Sequence, residues 1–294
     1  MIQKPLFSPQ VEWLPPTEFP DLSKYDEIAI DLETKDPELK KLGSGSVTGK
    51  GHIVGIAVAV KDWSGYYPIA HEGGGNMDFR MVLKWFQGVL NTPAVKIFHN
   101  AMYDVCFIRA AGLKINGQIV DTMIAGSLVD ENRFRYDLGS MGRDYLGKGK
   151  NESILAETAK EWGIDAKSEM YKLPAMYVGE YAERDAEMTL ELWQEMKKEI
   201  YAQDIEDIFK LETELFPCLV DMRFLGVRVD VEAANQLKGK LLKEEKECLQ
   251  KVKKETGIDT QIWAARSIAQ VFEKLHLPFD RTEKTNSPSF TKNF

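Results

Sequence analysis

Cysteine is scarce: the 294 residues hold three, Cys106, Cys218 and Cys248, with no CxxC pair. Such an odd, widely spaced set excludes a disulfide framework and a zinc ribbon, and reads as three core thiols in a reducing compartment. Long apolar runs are also missing. The longest clean one, IVGIAVAV at 53–60, has the length of a strand and falls far short of a membrane span. The opening MIQKPLFSPQ has no apolar signal core, so the expectation is a cytoplasmic protein without membrane contact. An excess of positive charge is absent too, since 38 Lys and Arg face 46 Asp and Glu for a net charge of −8. That balance disfavours a partner gripped through lysine and arginine alone. It leaves room for an enzyme that holds nucleotides through metal ions, because bound cations supply the local positive charge.

Two glycine-rich stretches lack the spacing that would make them nucleotide loops. GSGSVTGKG (43–51) has Gly43 one residue too far from the Gly-Lys pair and Gly45 one too near, and a strand follows where a helix is needed. HEGGGNMD (71–78) lacks the GxGxxG spacing. Both read as loops in which glycine permits tight turns.

What is present is an ordinary globular composition, 44% hydrophobic and 29% charged, with length for one large domain or two smaller ones. Five prolines in residues 1–24 predict an extended arm packed on the domain. Strand patterns follow at 26–32, 52–60 and 64–70, the last two joined by a tight KDWS hairpin. MDFRMVLKWFQGVL (77–90) has helical spacing, AVKIF (94–98) is strand-like, and HNAMYDVCFIRAAG reads as a helix capped by Asn100 and stopped by Gly112. QIVDTM suggests a last strand, running into helices at about 121–130 and 137–146. Residues 178–202 form another strongly periodic helix. Beyond 204 the pattern is helical, with GVRVD as the one strand-like segment. From 238 to 255, seven Lys outnumber four Glu around an apolar stripe of Leu237, Leu241, Leu242, Cys248, Leu249 and Val252, the pattern of a solvated amphipathic helix.

Chemistry enters at the end of the first strand, in IAIDLETKD (28–36). Side chains two apart on a strand share a face, so Asp31 and Glu33 project together. In FHNAMYDV, Asn100 and Asp104 stand four apart on one face of a helix start. In YAERDAEMTL, Tyr181 and Asp185 have the same spacing on a later helix. Taken singly these are a solvated acid pair, a surface aspartate and a local Tyr–Asp hydrogen bond. If the three segments converge, four carboxylates share a pocket, and like charges that close protonate unless cations compensate. With no His or Cys cluster, the donor set suits a hard divalent cation such as Mg²⁺ and disfavours zinc. An all-carboxylate site with room for two metals is the arrangement that clamps attacking and leaving oxygens in phosphoryl transfer. A glycosidase would use two acids and leave the tyrosine and the other two without a role.

DLE at 31–33, NAMYD at 100–104 and YAERD at 181–185 resemble, in order, the three motifs of the DEDDy 3′→5′ exonucleases. Within that superfamily the chain resembles the proofreading domain of a family A, Klenow-like DNA polymerase of the kind found in bacteriophages. YYPIAH (66–71), DTMIAGSLVDEN (121–132) and YDLGSMGRDYLG (136–147) are similar to that family's linking segments. MRFLGVRVD (222–230) and TEKTNSPSF (282–290) resemble stretches leading into its polymerase domain.

The resemblance implies a ribonuclease H-like α/β fold: a five-stranded mixed sheet with an antiparallel pair at one edge, helices on both faces, and a mostly helical extension. The expected division is an exonuclease domain at 1–202, including the arm at 1–24, and the helical start of a polymerase domain at 203–294, ending before the palm motifs. It implies two divalent ions, Mg²⁺ or Mn²⁺: Asp31, Glu33 and Asp185 around the one that activates a water, Asp31 and the 3′-terminal phosphate around the second, with Asp104 supporting the second. Tyr181 and Glu33 would orient the water, and Thr34, Asn100 and Tyr103 would touch the substrate strand. The implied reaction removes nucleoside 5′-monophosphates from single-stranded or frayed DNA 3′ ends, without polymerase activity from this stretch. The implied setting is a bacterial or phage-infected cell, and the implied partners are the remainder of a polymerase or other replication proteins. The alternatives are an RNA-processing exonuclease with the same motifs, and an inactive nucleic-acid-binding or polymerase-docking module. Pro37 departs from the family pattern just beyond the first motif. The lysines of 238–255 would lie at the base of a polymerase thumb, facing duplex phosphates.

Overall fold

A computed structural model describes residues 11–149 and 153–290. Strand β1 (Glu27–Lys35) is followed by two four-residue helices, α1 (Leu39–Leu42) and α2 (Gly45–Thr48), and then by strands β2 (His52–Val60) and β3 (Trp63–Pro68). These three strands are antiparallel. Helix α3 (Phe79–Asn91), strand β4 (Val95–Phe98), helix α4 (Ala101–Ala110) and strand β5 (Ile119–Asp121) complete a sheet in the order β3-β2-β1-β4-β5, with β1, β4 and β5 parallel. The expected mixed sheet with its antiparallel edge is present. Helices α5 (Thr122–Val129), α6 (Leu138–Leu146), α7 (Ser153–Trp162), α8 (Gly179–Ala202) and α9 (Glu206–Leu225) follow. Helix α7 and the two 3₁₀ turns at Met170–Lys172 and Ala175–Tyr177 have no counterpart in the sequence expectation.

Helices α3, α5 and α6 begin where short acidic side chains accept backbone N–H groups. Asp78 accepts from Met81, Asp121 from Met123 and Asp137 from Ser140. Helix α4 differs from its expected cap. Asn100 stands at the cap position in the left-handed region, φ 64°, and its side chain caps nothing. The Asp121 carboxylate, from the end of β5, takes both the Asn100 and Ala101 N–H groups, at 2.9 and 2.8 Å. From Val11 onward the arm runs along the domain. Trp13 lies 5.9 Å from the Tyr66 ring, and Phe19 stacks on Tyr67 at 5.5 Å. The arm's first ten residues lie outside the described ones.

The chain divides into compact units at 1–226 and 227–294. Helix α9 therefore belongs with the first unit and not with the extension, because Phe209, Phe216 and Val220, at helical spacing, are buried in its core. The second unit comprises α10 (Val231–Thr256), α11 (Ala265–Lys274) and a short hairpin of β6 (Asp280–Arg281) and β7 (Pro288–Ser289), with Phe272, Phe279 and Phe290 clustered against one another. GVRVD forms no strand. Gly226, at φ 71°, ends α9, and Asp230 caps α10 by accepting from Ala233, so the segment is a link between two helix ends. Of the cysteines only Cys106 is a core thiol. Cys218 and Cys248 are exposed, Cys218 because it sits off the buried stripe of α9 and Cys248 because α10 is exposed along almost its whole length.

Candidate active site

Strands β1 and β2 have a large-residue face and a small-residue face. Ile28, Ile30 and Leu32 pack with Ile56, Val58 and Val60 in one core cluster, whereas Ala29, Ala57 and Ala59 belong to a second cluster built around α8. Asp31 pairs with Ala57 and Glu33 with Gly55, so by strand alternation both acids stand on the small face, beneath α8. Small residues allow the helix backbone to approach. Directly after Glu33 the β1–β2 register shifts, since Glu33 pairs with Gly55 but Thr34 with Ile53, leaving Val54 as the extra residue of a bulge. By ordinary alternation Thr34 points to the opposite face, towards α4, where its hydroxyl meets that of Tyr103.

Helix α8 carries Tyr181 and Asp185 one turn apart. Asp185 is buried, and the Tyr181 phenol is hydrogen-bonded to its carboxylate. Burial first, and then the charges of Asp185, Glu33 and Asp31, hold the Tyr181 proton far more tightly than in an ordinary phenol. Asp104 comes from the first turn of α4. Parallel pairing between β1 and β4 reaches only as far as Ala29 and Ile97, so the N–H of Leu32 has no strand partner on that side; Asp104 Oδ1 accepts it at 3.1 Å. Asp104 is 5% exposed, and burial followed by the negative charge of Asp31 raises its pKa well above the usual carboxylate range.

Asp31, Glu33, Asp104, Tyr181 and Asp185 are thus gathered at one place, at the carboxyl ends of the parallel strands. Among the described residues no three carboxylate, imidazole or thiol groups stand close enough to enclose an ion unaided. The donor chemistry nevertheless fits a hard divalent cation. The acids offer only oxygen, and a buried Asp104 pressed by Asp31 is relieved by a nearby cation. Mg²⁺ also completes its shell with water and substrate phosphate and needs few protein ligands.

Thr34 and Tyr103 are hydrogen-bonded to each other, Oγ1 to Oη at 2.8 Å, and Asn100 is exposed at the start of α4. Two acids absent from the sequence expectation organise this rim. Asp36 Oδ2 accepts from Tyr103 Oη at 3.3 Å and from Gly45 N at 2.9 Å, tying to α4 the start of α2, a short helix where the glycine-rich stretch 43–51 was expected to be loop throughout. Asp121 aligns the start of α4, as described above. Its signal in the sequence was an aspartate between a strand and a helix; that it would cap a second helix was not legible locally.

The model of the 3′–5′ exonuclease found in family A DNA polymerases matches residues 19–201, well over half of the chain. The chain belongs to that family. A DNA-directed DNA polymerase of Pseudomonas phage M6 is 32% identical over 96% of this chain and 44% of its own length. DNA polymerase I of Chloroflexus aurantiacus is 26% identical over 63% of this chain and 20% of its own. The exonuclease chain therefore spans less than half the length of these curated relatives. Among solved structures, the POL domain of Pol1 from M. smegmatis, in complex with DNA primer-template and dNTP, has a TM-score of 0.62 at 14% identity, covering 91% of this chain and 41% of that one. Brucella melitensis NrnC with bound Mg²⁺ has a TM-score of 0.50 at 17% identity, covering 70% and 89%. At such identities these likenesses bear on the fold alone, which is ribonuclease H-like as expected.

Proposed function

We propose that this exonuclease domain removes nucleoside 5′-monophosphates, one at a time, from single-stranded or frayed DNA 3′ ends, as the editing part of a polymerase in a bacterial or phage-infected cell. The observation that carries the reading is the mutual electrostatic contact of acids from β1, α4 and α8, three segments far apart in sequence. Two divalent ions, Mg²⁺ or Mn²⁺, would be held by Asp31, Glu33, Asp104 and Asp185 and would supply an acidified water and charge neutralisation at the terminal phosphate. The Asp31 charge acts on both Asp104 and Tyr181, which supports a shared role for it.

Tyr181 keeps its proton and is therefore no general base. It acts by position, its hydroxyl and the Glu33 carboxylate orienting the attacking water for in-line displacement at the last phosphodiester. Thr34, Tyr103 and Asn100 face the terminal nucleotides, Thr34 and Tyr103 as a hydrogen-bonded pair. A duplex end must unpair before its last phosphate reaches the acids, and mispaired ends unpair at lower cost, so editing selectivity needs no reading of the base. No nucleotidyl-transfer site is proposed for these residues.

The test is digestion of end-labelled single strands in Mg²⁺ or Mn²⁺, with matched DNA and RNA, by wild type beside Asp31→Ala and Asp185→Ala. The expected result is DNA shortened from its 3′ end and turnover lowered at least about 10³-fold in each variant. Near-wild-type turnover in both variants refutes the site, and a preference for RNA refutes the substrate.

A further inference from the structure

One alternate step beyond Glu33, the same face of β1 carries a cation that the proposed reaction does not use. Lys35 is the last residue of β1, and alternation puts it with Asp31 and Glu33, about 7 Å from Glu33 along the strand. The side chains around it agree with that placement. Lys35 Nζ lies 5.2 Å from the centre of the Tyr171 ring, in a turn whose Met170 and Leu173 belong to the cluster that packs on the small face. Lys35 therefore projects into the crevice outside the carboxyl ends of the parallel strands, the side from which a substrate strand reaches the acids.

The ammonium group is held in place from two sides. Glu72 Oε1 accepts from Lys35 Nζ at 2.7 Å. The Glu72 N–H in turn donates to the Tyr171 carbonyl at 2.9 Å, so one turn supplies both the aromatic face and the anchor of the carboxylate. The glycine-rich stretch 71–78 closes down on that turn. The Gly74 carbonyl accepts from the Ala175 N–H at 3.0 Å, and a Cβ added to Gly73 would sit 2.2 Å from the Pro174 nitrogen. A stretch without nucleotide-loop spacing thus fixes a lysine at the mouth of the acid site. Lys172 lies 5.7 Å from the same ring centre, but it comes from the turn itself and is paired with Glu169.

We infer that Lys35 is a substrate-binding residue that contacts the backbone phosphates immediately upstream of the scissile one, held ready for them by Glu72 and Tyr171. This rests on the exonuclease reading of the carboxylates. Divalent ions at the acids would neutralise the terminal phosphate and leave the next ones, on its 5′ side, facing an acidic protein. A phosphate contact fixes the register of a strand without reading its bases, as removal of any nucleotide in turn requires. The Lys35–Glu72 pair is partly exposed at both ends, so it is weak and screened, and exchanging the carboxylate for a phosphate costs little. The aromatic face stays with the ammonium through that exchange.

The experiment measures kcat and KM for single-stranded DNA in Mg²⁺, over a range of NaCl concentrations, for wild type, Lys35→Met, Lys35→Arg and Lys172→Met. Lys35→Met is expected to lose about tenfold in kcat/KM at low salt, through KM and not kcat, the scale of one charge-assisted contact. The slope of log(kcat/KM) against log[NaCl] is expected to be shallower by about 0.7, one single-strand phosphate. Lys35→Arg keeps the charge and the slope, and Lys172→Met matches wild type. A second comparison uses strands with one neutral methylphosphonate at the first or second linkage upstream of the scissile one. One of these is expected to cost wild type about as much as Lys35→Met costs, and to cost Lys35→Met nothing further. A Lys35→Met slope equal to that of wild type, an equal loss in Lys172→Met, or additive losses at both linkages overturns the inference. Where Lys35→Met fails to fold, the neutral strands decide, and wild type indifferent to both linkages overturns it. In each of these cases an active wild type leaves the exonuclease reading standing; wild type that digests no strand overturns that reading, and this inference with it.

Discussion

On one face of the sheet, β1 and β2 present Ile28, Ile30, Leu32, Ile56, Val58 and Val60; on the other, the same strands present Ala29, Ala57, Ala59 and Gly55, beside Asp31 and Glu33. The first face buries large side chains, each worth about 1.5–3 kcal/mol, and supplies stability. The second gives up that burial to admit α8, whose Tyr181 and Asp185 complete the acid group. Stability and the proposed chemistry are therefore separated by the pleat of one strand, one residue apart.

The sharpest way to break that separation compares two neighbours. Asp31→Ala is expected to lower turnover at least about 10³-fold with little change in melting temperature. Ile30→Ala is expected to cost about 2–5 kcal/mol of stability while the folded fraction keeps its turnover. Thermal melts beside single-turnover rates check both, and an Ile30→Ala enzyme that folds but is dead would merge the two faces into one.

Gly55→Ala tests the small face at its tightest point. The added Cβ would meet Tyr66 ring atoms at 2.2 and 2.4 Å, besides the oxygen at 1.9 Å, so the phenol or β2 must move. A displacement of that order, next to Glu33, is expected to lower kcat about 10²-fold. The matched change on a glycine with open space, Gly88→Ala in α3, is expected to leave kcat unchanged.

Tyr181→Phe is the next smaller effect, about tenfold in kcat, since it removes the hydroxyl proposed to orient the water and leaves every carboxylate. Because Tyr181 holds its proton far beyond neutrality, the wild-type pH–rate profile should show no tyrosine ionisation up to about pH 9. A basic limb that disappears in Tyr181→Phe would restore the tyrosine to a general-base role.

Much of this face was legible in the sequence because its geometry is local. The alternation of 28–33 places Asp31 with Glu33, and helical spacing aligns Tyr181 with Asp185. Legibility failed where a partner arrives from elsewhere. Asn100 looks like a cap, yet its backbone turns left-handed and Asp121, 21 residues on, takes the helix N–H groups. Asp36 looks solvated, but the chain returns at Gly45 to bond it. Which face of β1 would take α8 was likewise unreadable, since an Ile-Ala alternation marks a small side without naming its occupant. Cys218 shows the converse, a residue type usually buried that lies outside the apolar stripe of its own helix.

The smallest expected effect concerns the link between the two faces, Asp104, which reaches from α4 to the Leu32 N–H. A carboxyl whose folded pKa is raised binds its proton more tightly folded than unfolded, so its contribution to stability falls as pH rises from the ordinary value of 3.8 through the raised one. Asp104→Asn keeps an acceptor for Leu32 and removes the charge. In EDTA at about pH 7 the variant is expected to melt a few degrees above wild type, with the gap closing as pH falls below 3.8, where the carboxyl becomes protonated in both states. In saturating Mg²⁺ the order should narrow or reverse, because a cation that binds only the folded protein stabilises the ionised wild type and not the amide. A variant that melts below wild type in EDTA at every pH would mean that Asp104 is compensated without a cation, and the small face would then be an ordinary hydrogen-bonded core.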